Sequence, residues 1–310
     1  MPKNLKSITV SCFGKLPKFG DFIRINASSQ QIQQFDRWLQ EGLYYAKKSL
    51  TAEFDSIFDA SPIRRFVFAV PELKSLLIGV LIPGRDKVGR RYPFYYTVSL
   101  PITLLKHDSL SHQILHVLPF LNSCVDNHQR VLEMEQTSEV ASHLEEMSRW
   151  ISPENNQLIR DYRNWKQNVS ASELLSVQNN DDQELSGIFD ELRKPIPSTN
   201  KLGWFLHSPK TDTNHSFFVP VIVDIFRNTN TNIPSVFWNN PAEGSGNILF
   251  FPNQPAAKVV IDLIKDAPSS AHFHTAPAAG VSNATPSVSE VLTEKLQNVS
   301  LDQFIHSFAR

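Results

Sequence analysis

The sequence predicts a mixed α/β protein of the α+β kind. A largely antiparallel sheet is flanked by helices, followed by a second helical-plus-strand portion and a C-terminal tail helix. Three observations carry this reading. Apolar runs rich in β-branched and aromatic residues crowd into residues 65–100, as strands do. Ahead of them, apolar residues recur at helical spacing. Near the C-terminus the composition turns to Ala, Pro, Ser, Thr and His before an amphipathic pattern resumes.

Residues 7–13, SITVSCF, end at Gly14 and read as a strand. The next stretch, GKLPKFGDFIR from Gly14 to Arg24, reads as a loop held by Gly14, Pro17 and Gly20. A capping box from Ser28 to Gln31 then opens a helix with Ile32, Phe35, Leu39, Leu43 and Ala46 on one face. Strands follow at 65–70, 76–83 and 93–100, and the basic stretch GRDKVGRR from Gly84 to Arg91 joins the second to the third like a hairpin.

Residues 108–193 read as mostly helical. Ile114, Leu115, Leu118 and Leu121 mark a helix that Pro119 bends. Val140, Leu144 and Met147 mark a second, and Leu185, Ile188, Phe189 and Leu192 a third. Strand character returns at 201–207, 216–226 and 247–251, and Asn253 to Pro255 caps a last helix with Val259, Val260, Leu263 and Ile264. The expected division is a domain at 1–135, a second part of the folded body at 136–266, a linker at 267–286 and an amphipathic tail at 287–310. Capping boxes at Ser287–Glu290 and Ser300–Gln303 head the tail, whose docking candidates are Leu292, Leu296, Phe304, Ile305 and Phe308. Such a tail either folds back on the body or docks a partner.

Composition narrows the function. With 41% hydrophobic residues among 310 the chain can bury a core, and 30 basic against 31 acidic side chains give a net charge of -1. That balance argues against a nucleic-acid binder, which needs a basic excess. Cys12 and Cys124 are too few for a disulfide framework and fit a reducing cytosol. No apolar run reaches the roughly 20 residues of a membrane span, so a cytoplasmic protein without membrane insertion is expected.

Templates for chemistry fail one by one. A P-loop needs a glycine followed by Lys and then Ser or Thr; Lys15 follows Gly14, but Asp21 follows Gly20 and would repel a phosphate. No nucleophile elbow is present. His112 and His116 have metal-ligand spacing, but Gln113 stands where a zinc protease has its Glu, and no third ligand is nominated. His272 and His274 in the linker, and Asp181 and Asp182, have still less specificity. No catalytic residue, metal or cofactor is expected. Two loops remain, around Asp21 and Asp86. Either their carboxylates pair with Arg24, Arg90 or Arg91 to fix loop shape, or Arg90, Arg91, Tyr92 and Phe22 form a surface for a partner. A third use, with Lys15, Arg85, Lys87, Arg90 and Arg91 receiving an anion, is the rival reading.

The order Gly14-x-Leu16-Pro17-x-x-Gly20-Asp21-Phe22, then Phe35-Asp36-x-Trp38-Leu39-x-x-Gly42-Leu43, then Asp86-Lys87-Val88-Gly89-Arg90-Arg91-Tyr92-Pro93-Phe94 resembles the TagF (also ImpM) family of type VI secretion accessory proteins. The resemblance covers residues 8–100; one departure is Gly84, where the family usually has Ser. It implies a cytoplasmic, post-translational repressor of type VI secretion that engages a forkhead-associated scaffold protein of the apparatus. On that reading Asp21, Arg24, Asp86, Arg90 and Arg91 hold the loops together while Phe22 and Tyr92 supply contact area.

Overall fold

The computed structural model describes residues 8–106, 109–151, 156–171, 203–207, 215–240, 245–267, 273–274 and 299–307. Nine strands form one sheet among these residues: β1 (Val10–Gly14), β2 (Ile23–Ile25), β3 (Arg64–Val70), β4 (Ser75–Ile82), β5 (Phe94–Pro101), β6 (Gly203–His207), β7 (Ser235–Trp238), β8 (Asn247–Phe251) and β9 (Phe273–His274). Their spatial order is β2-β1-β5-β4-β3-β7-β8-β6-β9. All pairs are antiparallel except β6 with β9. The boundary expected at residue 135 is therefore no break in the sheet, since β3 pairs β4 on one side and β7 on the other.

Alternation along the strands sends side chains to both faces, and both are covered. Phe66 and Phe68 of β3, Leu77 and Leu81 of β4 and Tyr95 of β5 pack under α1 (Gln30–Leu50), α2 (Phe54–Asp59) and α8 (Val260–Lys265). On the opposite face Val67, Ile78, Val80, Tyr96 and Val98 pack with α3 (Leu110–Asp126), α5 (Thr137–Ser148), α6 (Gln157–Asn168) and α7 (His215–Thr229). α9 (Leu301–His306) joins that second core.

The predicted helix over 30–50 forms, with Ser29 rather than Ser28 at its N-cap, accepting from the Ile32 amide. Its seam with the C-terminal part is tight. A Cβ at Gly42 would lie 2.2 Å from Val260 Cγ2 and 2.5 Å from the Ala257 carbonyl oxygen. One turn earlier Trp38 Nε1 donates to the Pro255 carbonyl at 2.8 Å. Pro255 thus anchors α1 instead of capping a helix; a 3-10 turn at Ala257–Val259 leads into α8, whose N-cap makes no side-chain bond.

Three other expectations change. Residues 216–226 are not a strand but the middle of α7, with Pro220 inside it. Nearly every side chain of that run is buried between the sheet and neighbouring helices, and a helix apolar on all sides leaves no period to read. The loop from Gly14 to Arg24 ends in β2, paired to β1. The expected linker is interrupted by β9, where Phe273 is buried. α3 runs through Pro119. The helix expected around Leu185–Leu192, the Ser287 box, Leu292, Leu296, Phe308, His272, Asp181 and Asp182 lie outside the described residues.

Beneath β5, His128 of the short helix α4 (His128–Leu132) is buried, with Nδ1 3.1 Å from the Tyr96 hydroxyl. Burial pushes its pKa down to about 4. A group whose folded pKa lies below its unfolded value, near 6.5, gives stability that is complete above 6.5 and lost as pH falls toward 4. Between those limits the protein should lose on the order of 3 kcal/mol through this imidazole. Urea titrations at pH 7, 5.5 and 4.5 should show a shallower decline for His128→Gln; parallel slopes would rule the imidazole out.

Candidate functional site

The conformation of two short loops sets the site. Gly14 has φ +138°, in the region that favours glycine, and a Cβ there would meet the Pro93 carbonyl oxygen at 2.2 Å. This lets β1 turn into the first loop directly against the end of the second. Leu16 behind it is fully buried, and Pro93 is buried opposite. A Cβ at Gly84 would meet the Lys15 and Tyr92 carbonyl oxygens at 2.6 Å each, so the backbones touch where a serine would need room.

Asp86 is the hub. Its Oδ2 lies 2.8 Å from Lys15 Nζ and 2.6 Å from Arg90 Nε, and its Oδ1 accepts from the Val88 amide at 3.1 Å and the Arg90 amide at 2.9 Å. The side chain is wholly inaccessible, as is nearly all of Lys15. Backbone bonds close the turn: Gly89 N to Asp86 O at 2.9 Å, Asp86 N to Arg90 O at 3.1 Å. Gly89, at φ +84°, makes the reversal. Arg90 also donates to the Gly20 carbonyl at 2.7 Å, and the Lys87 amide donates to the Phe19 carbonyl at 2.8 Å, so the second loop clasps the first.

Burial would by itself raise the Asp86 carboxyl, but the bonds from Lys15, the Arg90 amide and the Arg90 guanidinium outweigh it and hold it far below the usual range. A depressed carboxyl contributes stability present above about pH 4 and lost only as pH falls toward its folded value. A carboxylate so held is a structural hub and has no proton to give near neutrality. The thiols are equally committed: burial pushes Cys12 up to about 12 and raises Cys124 as well.

The other predicted residues divide. Arg91 does not bridge the loops; it forks onto Asp59 at 2.8 and 2.7 Å and reaches Asp55 at 2.8 Å, tying the second loop to α2. Among the described residues, Asp21 accepts only from the amide of its neighbour Phe22. Arg24 lies over the Phe13 ring, 5.1 Å from its centroid. Tyr92 is buried and bonds to the Asp36 carboxylate, so it supplies packing and no contact area. Trp38 belongs to the α1 seam. Phe22 does face outward, 38% exposed, stacked on Phe13 at 5.1 Å and set edge-on to Tyr92 at 5.0 Å. Sequence reasoning missed Lys15 as the partner of Asp86, and Asp36, Asp55 and Asp59 as partners of Tyr92 and Arg91.

What the clasp shows outward is Phe22 beside a turn tip with Val88 71% exposed, flanked by exposed Arg24, Arg85 and Lys87. Among the described residues, Arg85 and Lys87 have no carboxylate within ion-pair distance. The anion-binding reading loses its convergence, because Lys15 and Arg90 are committed to Asp86 and Arg91 to Asp55 and Asp59. Of the tail candidates, Phe304 and Ile305 are 4% and 2% exposed, in the core.

No group of three or more His, Cys, Asp or Glu that could hold a metal occurs among the described residues, and none of their helices is long and apolar enough to cross a membrane. Compared with known proteins, residues 11–151 match the family described as the TagF N-terminal domain, type VI secretion system-associated. No curated protein matches the sequence. A crystal structure at 2.05 Å of PA0076 from Pseudomonas aeruginosa PAO1 overlaps 90% of this chain and 100% of its own, at 16% identity and a TM-score of 0.47.

Proposed function

We propose that the protein is a non-enzymatic cytoplasmic regulator of type VI secretion, a reading supported by the match of residues 11–151 to the type VI secretion system-associated TagF N-terminal domain. It acts as a post-translational repressor by binding a forkhead-associated scaffold or another assembly component. The observation that carries this reading is the use made of the polar groups in the clasp. They are spent on one another, with Asp86 sealed inside, while Phe22, Val88, Arg85 and Lys87 are held outward by a rigid frame. A pre-ordered patch with an aromatic anchor suits recognition, since little entropy is lost on binding.

The test separates surface from frame. Charge reversal at Arg90 would break the hub, so the informative variants are Phe22→Ala and the double change Arg85→Glu with Lys87→Glu. Capture of the secretion partner should weaken about tenfold or more, the scale of a hot-spot loss, with Tm nearly unchanged because these side chains are exposed. Unchanged capture would sink this surface as the binding face. In cells, deletion of a repressor raises secretion; if deletion abolishes it, the protein is a component of the apparatus instead.

A further inference from the structure

The C-terminal segment closes over α6 and α7 through contacts that read as recognition. The Ser300 hydroxyl accepts from the Gln303 amide and the Gln303 side chain returns to the Ser300 amide, a capping box that starts α9. Leu301, Phe304 and Ile305 are buried in the core shared with α6 and α7. On one side the backbone is read: Leu301 N donates to Val169 O at 2.8 Å and Ala171 N to Val299 O at 2.9 Å. On the other, Asn228 Nδ2 donates to the Ile305 carbonyl at 2.8 Å.

Charge is read as well. Lys166 Nζ sits 3.2 Å from Asp224 and 3.4 Å from Asp302, over the Tyr162 ring. The Tyr162 hydroxyl donates to Asp224 at 2.7 Å. Lys166 is 8% exposed. Its ammonium keeps Asp224 when Asp302 leaves, so the groove stays charge-balanced while empty. A helix of six residues has no stability of its own, because nucleation costs more than one turn returns. α9 therefore exists only while docked.

We propose that the α6–α7 groove is a binding site for short amphipathic helices and that α9 is its intramolecular occupant. The partner it fits is a helix with an apolar residue at position i, an acid at i+1 and apolar residues at i+3 and i+4, the pattern of Leu301, Asp302, Phe304 and Ile305. The apolar side chains fill the groove and the acid reaches Lys166. Partner and tail compete, so the tail sets how much partner helix is needed.

The experiment uses the full chain and a fluorescent peptide with the sequence of residues 296–310. The wild-type chain should bind it weakly, since the tethered tail occupies the groove at high effective concentration. The Leu301→Asp chain, with its own tail expelled, should bind at least tenfold more tightly, and a peptide carrying Asp302→Lys should lose that gain. Equal binding by both chains overturns the proposal, as does loss of cooperative unfolding in Leu301→Asp, which would make α9 an integral part of the core. Hydrogen exchange on the wild-type chain adds an independent check. Amides of 301–306 should exchange at least tenfold faster than those of 219–226; equal protection overturns the idea.

Discussion

Replacing Asp86 with alanine is expected to destabilise the protein by about 3–5 kcal/mol, the range for removing one member of a buried ion pair. The loss has two sources. Lys15, almost wholly buried, is left as an uncompensated charge. The amides of Val88 and Arg90 also lose their acceptor, so the turn around Gly89 comes undone. The reciprocal change, Lys15→Met, should cost far less, because Asp86 keeps Arg90 and both amides and the methionine fills the space of the lysine stem. Guanidinium titrations at neutral pH give both numbers. A cost below about 1 kcal/mol for Asp86→Ala would show that the hub is dispensable. Partner capture should fall with stability here, although Asp86 has no accessible side-chain surface.

The second large effect is expected at Trp38. Trp38→Ala should cost about 3–5 kcal/mol, as for other buried large aromatics cut to alanine. The indole stacks on Phe35 and Phe237, each at 5.6 Å between centroids, and lies 5.0 Å from Phe68. Its Nε1 bond to Pro255 would also vanish, leaving a buried carbonyl without that donor. Trp38→Phe should recover part of the loss. Trp150, 57% exposed, is the matched comparison: Trp150→Ala should stay within about 0.5 kcal/mol. Similar costs at the two tryptophans would refute the assigned seam between α1 and the segment before α8.

These two residues also show what could be read from sequence and what could not. α1 was legible because it buries one face and local periodicity reports that. The strands at 64–70, 75–82 and 94–101 were legible as short apolar runs rich in β-branched and aromatic residues, though both their faces are buried. α7 was illegible because it is buried all round. β7, Ser235–Trp238, has only four residues, too few to carry a period. At the site, Asp86 and Arg90 stood out by their shared loop, whereas Lys15 is 71 positions from Asp86 and Asp59 is 32 from Arg91. Pairings of that kind depend on how the chain returns, which no local pattern encodes. Tyr92 was misread for the same reason, since its partner Asp36 lies on the other side of two strands in sequence.

The placement of β3 bears on how the chain is made. β3 ends at Val70 and its second neighbour β7 begins at Ser235, so the 164 residues from 71 to 234 are synthesised between them. At roughly 5–20 residues per second, the nascent chain presents an unpaired β3 edge, with Phe66 and Phe68 beside it, for on the order of ten to thirty seconds. An open, aromatic strand edge is the usual template for unwanted pairing. The ribosome-bound intermediate is thus the stage at which this protein most needs a chaperone, and slower translation would lengthen its exposure.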